Sequence, residues 1–233
     1  MSRLARLSHT ITACRACPRL VAHREQVAQV KTSRFREWDY WGKPVPGFGS
    51  STARLLIVGL APAAHGGNRT GRMFTGDRSG DWLYRALHRA GFADQPHSIS
   101  RDDGMRLHDC YITATVRCAP PGNKPLPEES DQCRPFLVEE LRLLKRVRVV
   151  MALGKLAFEG YLKACRELGH RLPRPRPSFG HGTVSRLPWG VTLLGSYHPS
   201  QQNTFTGRLT IPMFDTVFAK ARQELKRAVR NKG

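Results

Sequence analysis

The chain has 233 residues, 40% of them hydrophobic, enough for one large domain with a sizeable core. Lysine and arginine number 38 against 18 aspartate and glutamate, a formal charge of +20. No apolar stretch approaches the roughly 20 residues that a bilayer span needs. The opening "MSRLARLSHT" carries basic residues but no apolar h-region, so the expectation is a cytoplasmic protein without a membrane partner.

Taken in chain order, the first punctuated feature is Cys14-Arg15-Ala16-Cys17, a C-x2-C turn. The run Leu55 to Gly59 predicts a buried strand, followed by the unusual loop "GLAPAAHGGNRTGRMFTGD". "GDWLYRALHRAGF" has helical spacing and a plausible C-cap at Gly91. The run Tyr111 to Val116 predicts a second strand, left by the proline-rich turn "RCAPPGNKP". "PFLVEELRLLKR" then predicts a helix, Val147 to Leu153 a third strand, and "KLAFEGYLKACREL" another helix. "RLPRPRPSFGHG" reads as an exposed basic loop. The run Val191 to Tyr197 predicts the fourth strand, and "SYHPSQQNTFTGRLT" a long polar loop. A last helix opens at Pro212, at a position suited to N1.

Near-continuous apolarity in all four strands implies burial on both faces, as in a parallel sheet. Strands alternating with helices predict an α/β fold, a three-layer α/β/α sandwich on a central four-stranded parallel sheet. In such sheets chemistry collects beyond the carboxyl ends of the strands. The loops after the first, second and fourth strands should therefore converge on one cleft.

A domain this basic points to a polyanion, and nucleic acid is the commonest one, bound through phosphate neutralisation and counterion release. Of the six cysteines, Cys110 lies in an apolar run and Cys165 on a helical pattern, so both read as core. Cys14, Cys17, Cys118 and Cys133 come from three places next to turn signals. Four such thiolates suit a zinc ion or a cubane iron–sulfur cluster, and the spacing does not choose between them.

"GLAPAAHGGNRTGRMFTGD" together with "HPSQQNTFTGRLT" resembles the uracil-DNA glycosylase superfamily. "CRACPRL", "PVPGFG", "VRCAPPGNKP" and "NTFTGRLT" are similar to its type B branch, family five, from Cys14 to the last helix. The resemblance implies one domain over residues 1–233, with a cluster-binding segment over about the first 50. It implies a [4Fe–4S] cluster on Cys14, Cys17, Cys118 and Cys133. It also implies a monofunctional hydrolase that removes uracil, and other deaminated bases such as hypoxanthine and xanthine, from DNA, leaving an abasic site for base excision repair. A monomer is expected.

On this reading His198 donates to the departing base as negative charge builds there. Asp77 and Asn123 assist, since Ala61 in "GLAP" has no polar atom where many superfamily members carry one. Asp77 has a second reading as a helix cap, and Asn123 as a turn former. Phe74 is the stacking platform for a base turned out of the duplex. His65 and Asn68 face base or sugar, or equally are polar groups of the surface; Gln201 and Asn203 fill the space the base vacates, and Arg208 meets phosphate. The absence of a polar side chain at Ala61 keeps a rival open: a non-catalytic protein that binds damaged DNA on the same fold.

Overall fold

A computed structural model of the chain describes residues 1–230. Two helices lead: α1 (Arg3–Thr12), capped by the Ser2 side chain, and α2 (Pro18–Val30), opened by Pro18 directly after Cys17. The rest alternates as β1 (Phe48–Gly49), β2 (Leu55–Gly59), a single turn α3 (Gly67–Thr70), α4 (Arg78–Arg89) and β3 (Cys110–Ala114). Then follow α5 (Pro127–Leu143), β4 (Val149–Leu153), α6 (Lys155–Glu167), β5 (Val184–Arg186), β6 (Thr192–Ser196), α7 (Gln201–Phe205) and α8 (Ile211–Arg230).

The sheet order is β1-β3-β2-β4-β6-β5. The four predicted strands form its parallel centre, in the register Cys110↔Leu55↔Val149↔Thr192. Short antiparallel strands, β1 on β3 and β5 on β6, are added at the two edges. They escape a pattern reading because two or three half-exposed residues carry no apolar run.

Alternation inside the apolar runs decides which layer each side chain joins. Leu55, Ile57, Ile112, Met151 and Leu194 face α4 and α8, meeting Leu83, Leu87, Phe214 and Phe218. Leu56, Val58, Tyr111, Val150 and Leu193 face α5 and α6, meeting Leu137, Phe158, Tyr161 and Leu162. Cys110 and Cys165 are buried in these two cores, as expected.

Three expectations change. The helix expected from Pro135 starts eight residues earlier, at Pro127, where a missing N–H costs nothing and Glu129 turns back to accept from the Leu126 amide at 2.7 Å. Pro135 thus lies inside α5, and Cys133 stands on a helix rather than in a turn. The polar loop after β6 contains α7, whose first turn is capped by the Ser200 hydroxyl accepting from Asn203 N–H at 3.3 Å. The loop after β2 contains α3.

Candidate active site and cysteine centre

The loops after β2 and β3 are tied at their roots. Thr115 N donates to Gly59 O and Val116 N to Leu60 O, continuing the parallel ladder past the strands. From the β2 loop, Phe74 is buried with φ +54, a left-handed conformation that costs a non-glycine residue about 1–3 kcal/mol. Its ring packs directly over Gly59, where a Cβ would stand 2.8 Å from it, so β2 must end in glycine. The His198 ring, from the loop after β6, lies 5.8 Å away centroid to centroid at an interplanar angle of 32°. Gly154, which follows β4, packs beside His198. Strand ends far apart in sequence therefore bring Phe74 and His198 together.

Burial brings the His198 imidazole down to about 4, so it is neutral at physiological pH. A neutral ring at that site has one N–H to give. Its backbone is held by Asn203, whose Nδ2 donates to the His198 carbonyl at 2.9 Å.

Asp77 is the N-cap of α4, its Oδ1 accepting from Gly80 N at 2.9 Å. The capping reading is therefore true, yet it occupies only one oxygen. Oδ2 lies against Gly66, where any Cβ would collide with it. Burial raises the Asp77 carboxyl above the ordinary aspartate range. The helix N-terminus that it caps favours the anion.

Asn123 ends a 3₁₀ turn (Pro121–Asn123) at φ +57 and is exposed. It has no hydrogen bond to Asp77 or His198 among the described residues. His65 is half-buried, its Nδ1 3.0 Å from Tyr40 Oη, and burial lowers its basicity. Gln201 and Arg208 are exposed, Arg208 lying 4.7 Å from the centroid of the Tyr197 ring.

Asn68 is fully buried, its Nδ2 donating to the Arg24 carbonyl of α2 at 3.1 Å, so it braces the loop from inside, while its Oδ1 has no partner among the described residues. Ala61 also turns inward: half-buried, it packs with Leu20, Val116, Cys118 and Cys133. Asn203 remains half-exposed, but its amide is engaged on the backbone of its own loop.

Two residues with conspicuous contacts escaped the sequence reading. Arg69 is buried against the rings of both Phe35 and Trp38, 3.9 and 4.1 Å from their centroids. It donates from Nε to His65 O at 2.8 Å and from Nη2 to Gly76 O at 2.7 Å. It thereby fixes both ends of the segment that leads to Asp77. Phe205 is an aromatic ring 66% exposed in an otherwise polar loop, with the Arg78 guanidinium 4.2 Å from its centroid. A lone phenylalanine among glutamines, asparagine and threonines was the available signal.

Cys14, Cys17, Cys118 and Cys133 line one small pocket with Arg24 and Arg117. Among the described residues no group of His, Cys, Asp or Glu is drawn in tightly enough to hold a single metal ion. Both arginines are buried. Arg24 Nη1 donates to Cys118 Sγ at 2.9 Å, and the Arg117 amide donates to Cys133 Sγ at 3.3 Å. Arg117 Nη2 also meets Glu140 at 2.5 Å, whereas Arg24 Nε, Arg117 Nε and Arg117 Nη1 have no acceptor among the described residues. Burial pushes the Cys133 thiol up to about 12. Buried donors and cations around four sulfurs suit an anionic, multi-iron centre better than four neutral thiols.

A three-layer fold that brings an aromatic ring and a neutral imidazole together beyond the carboxyl ends of its parallel strands defines an α/β protein with a strand-end site. The profile of the Uracil DNA glycosylase superfamily matches residues 46–226, and the chain belongs to that superfamily. Within it, the chain is 56% identical over 218 residues to the type-5 uracil-DNA glycosylase of Mycobacterium leprae, covering 93% of both chains. It is 52% identical over 216 residues to that of Thermus thermophilus, covering 92% of this chain and 94% of the relative. A type-4 uracil-DNA glycosylase of Pyrobaculum aerophilum is 30% identical over 162 residues, 69% of this chain and 74% of its own.

Proposed function

We propose that this protein hydrolyses the N-glycosidic bond of uracil in DNA and leaves an intact abasic site. The observation that carries this reading is the pairing of Phe74 with a neutral, half-buried His198 at the strand ends. A base turned out of the stack rests on the Phe74 ring. As the bond to the sugar opens, negative charge gathers on the base and the His198 N–H meets it in a site with little water. The Asp77 carboxylate, with Oδ2 left over from capping, orients water or steadies the cationic sugar. Asn123, on the exposed turn after β3, is assigned to position the water or read the base.

Hypoxanthine, xanthine and hydroxymethyluracil are proposed as further substrates, since Ala61 carries no polar atom and its methyl packs away toward Cys118 and Cys133, leaving a roomier pocket. The four cysteines hold a [4Fe–4S] cluster, with Arg24 supplying counter-charge at Cys118 and the Arg117 amide a donor at Cys133. When bound, that group crosslinks the first 50 or so residues to the loop after β3 and to α5. One domain spanning residues 1–233 works as a monomer on DNA in the cytoplasm, and its cationic surface holds phosphates.

The direct test offers oligonucleotides carrying uracil, hypoxanthine or xanthine to the purified holoprotein and measures free base. Release of uracil with an unbroken, alkali-labile strand is the expected result, and Asp77→Asn and Asn123→Ala should each slow it by about 10- to 1000-fold. Tight binding with no release would favour the damage-binding protein instead.

Phe205 supplies a second outcome. An exposed ring beside the cleft fits the wedge that fills a vacated stack, at a cost of unstacking met only in duplex DNA. Phe205→Ala should therefore slow excision from duplex about 10-fold and leave single-stranded substrate nearly unaffected. Equal losses on both substrates would remove the wedge role.

A further inference from the structure

The antiparallel ladder between β5 and β6 continues one step beyond its backbone partners. Gly195 N donates to Thr183 O at 3.1 Å and Gly182 N to Gly195 O at 2.8 Å. The following inward amide, that of Tyr197, has no carbonyl opposite it. It donates to Nδ1 of the His181 ring at 3.2 Å. Tyr197 immediately precedes His198. The two aromatic rings of His181 and Tyr197 stack at 5.0 Å and 27°, and the Arg208 guanidinium lies over Tyr197 as well.

His198 is thus suspended between fixed points. Gly154 N holds the Ser196 carbonyl at 2.8 Å, His181 holds the Tyr197 amide, and Asn203 holds the His198 carbonyl. We propose that His181 is a positioning residue for the glycosylase reaction, its bare Nδ1 fixing the Tyr197 peptide so that the His198 ring is aimed over Phe74. The proposal rests on the reading of His198 as the donor to the departing base.

The tautomer follows from the contacts. Nδ1 accepts from an amide and carries no proton, so in the neutral ring Nε2 carries it. A second proton would turn Nδ1 from acceptor into donor facing an N–H. Burial resists that proton, and so does Lys220 of α8, which holds Gly182 O at 2.8 Å; Tyr197 and Arg208 complete the surroundings.

Asparagine and glutamine separate positioning from mere space filling. The asparagine amide oxygen falls near the site of Nδ1, whereas glutamine reaches toward Nε2. In single-turnover excision, His181→Ala and His181→Gln should lose roughly 10- to 100-fold in rate, the scale of a displaced catalytic group. DNA affinity should be unchanged, and His181→Asn should stay within about threefold of wild type, in line with the retained hydrogen bond. The wild-type rate should also fall on the acid side as His181 protonates, and that of His181→Asn should lack this step. In ¹⁵N-labelled wild type, a scalar coupling across the hydrogen bond from the Tyr197 amide to His181 Nδ1 is expected whether or not the protein acts on uracil. Absence of that coupling, an alanine variant at full rate, or an asparagine variant as slow as alanine would each overturn the proposal. A wild type that shows the coupling and releases no base would instead overturn the proposed function.

Discussion

His198→Ala is expected to lower single-turnover release of uracil by about 10²- to 10³-fold, the usual effect of removing one preorganised donor from a developing anion. Binding to DNA holding an abasic site should barely change, because the ring acts on charge that exists only as the bond breaks. The pH profile tests the same residue differently. An ordinary histidine would put a step in rate near pH 6.5. Burial takes His198 to about 4, so no step from this ring should appear between pH 6 and 8.

Stability carries a matching signature. The folded ring binds its proton less readily than the unfolded one, so between pH 4 and 6.5 the unfolded chain holds more protons. Stability therefore rises with pH through that window and is lost as pH falls through it. His198→Asn should remove that slope and gain about 1–3 kcal/mol relative to wild type near pH 4. A variant that keeps wild-type rate, or a wild type with a step near pH 6.5 that vanishes on substitution, would displace His198 from its role.

The second large effect concerns the cysteine centre. Cys118→Ser should lose most bound iron and the visible thiolate-to-iron absorption band. Melting should fall by about 6–12 °C, equivalent to about 3 kcal/mol in a chain of this size. The loss reaches the cleft through backbone. Cys118 touches Arg24, and the Arg24 carbonyl holds Asn68 in the segment before Phe74 and Asp77. Amide exchange over residues 65–77 should accordingly quicken in the variant. Purified wild type carrying one zinc and no iron would reject the cluster, and unchanged melting with full iron would reject Cys118 as a ligand.

The four parallel strands were legible because a strand buried on both faces must be apolar throughout, and each run appeared within about two residues of its true place. The convergence of the loops after β2 and β6 followed from the parallel topology itself. The four cysteines that share one pocket were grouped by their turn signals, while spacing alone left zinc, a cluster or core thiols open. The start of α5 was missed because Pro127 reads equally as a turn residue until Glu129 is seen closing on Leu126.

Asn68 shows the opposite limit. A polar residue beside two glycines in a catalytic loop reads as surface chemistry, yet its partner is the carbonyl of Arg24, 44 residues away. Arg69 is similar: nothing in "GGNRTGR" says that its charge lies against the rings of both Phe35 and Trp38.

The sequence by itself determined the layer architecture, the basic surface and the residue types available at the strand ends, because burial periodicity and charge are written locally along the chain. Only the tertiary structure decided which oxygen of Asp77 is spent on a cap, that Asn68 and Ala61 face inward, and that His181 grips the peptide before His198. Those outcomes depend on distances between segments far apart in the chain, which packing sets and no local pattern records.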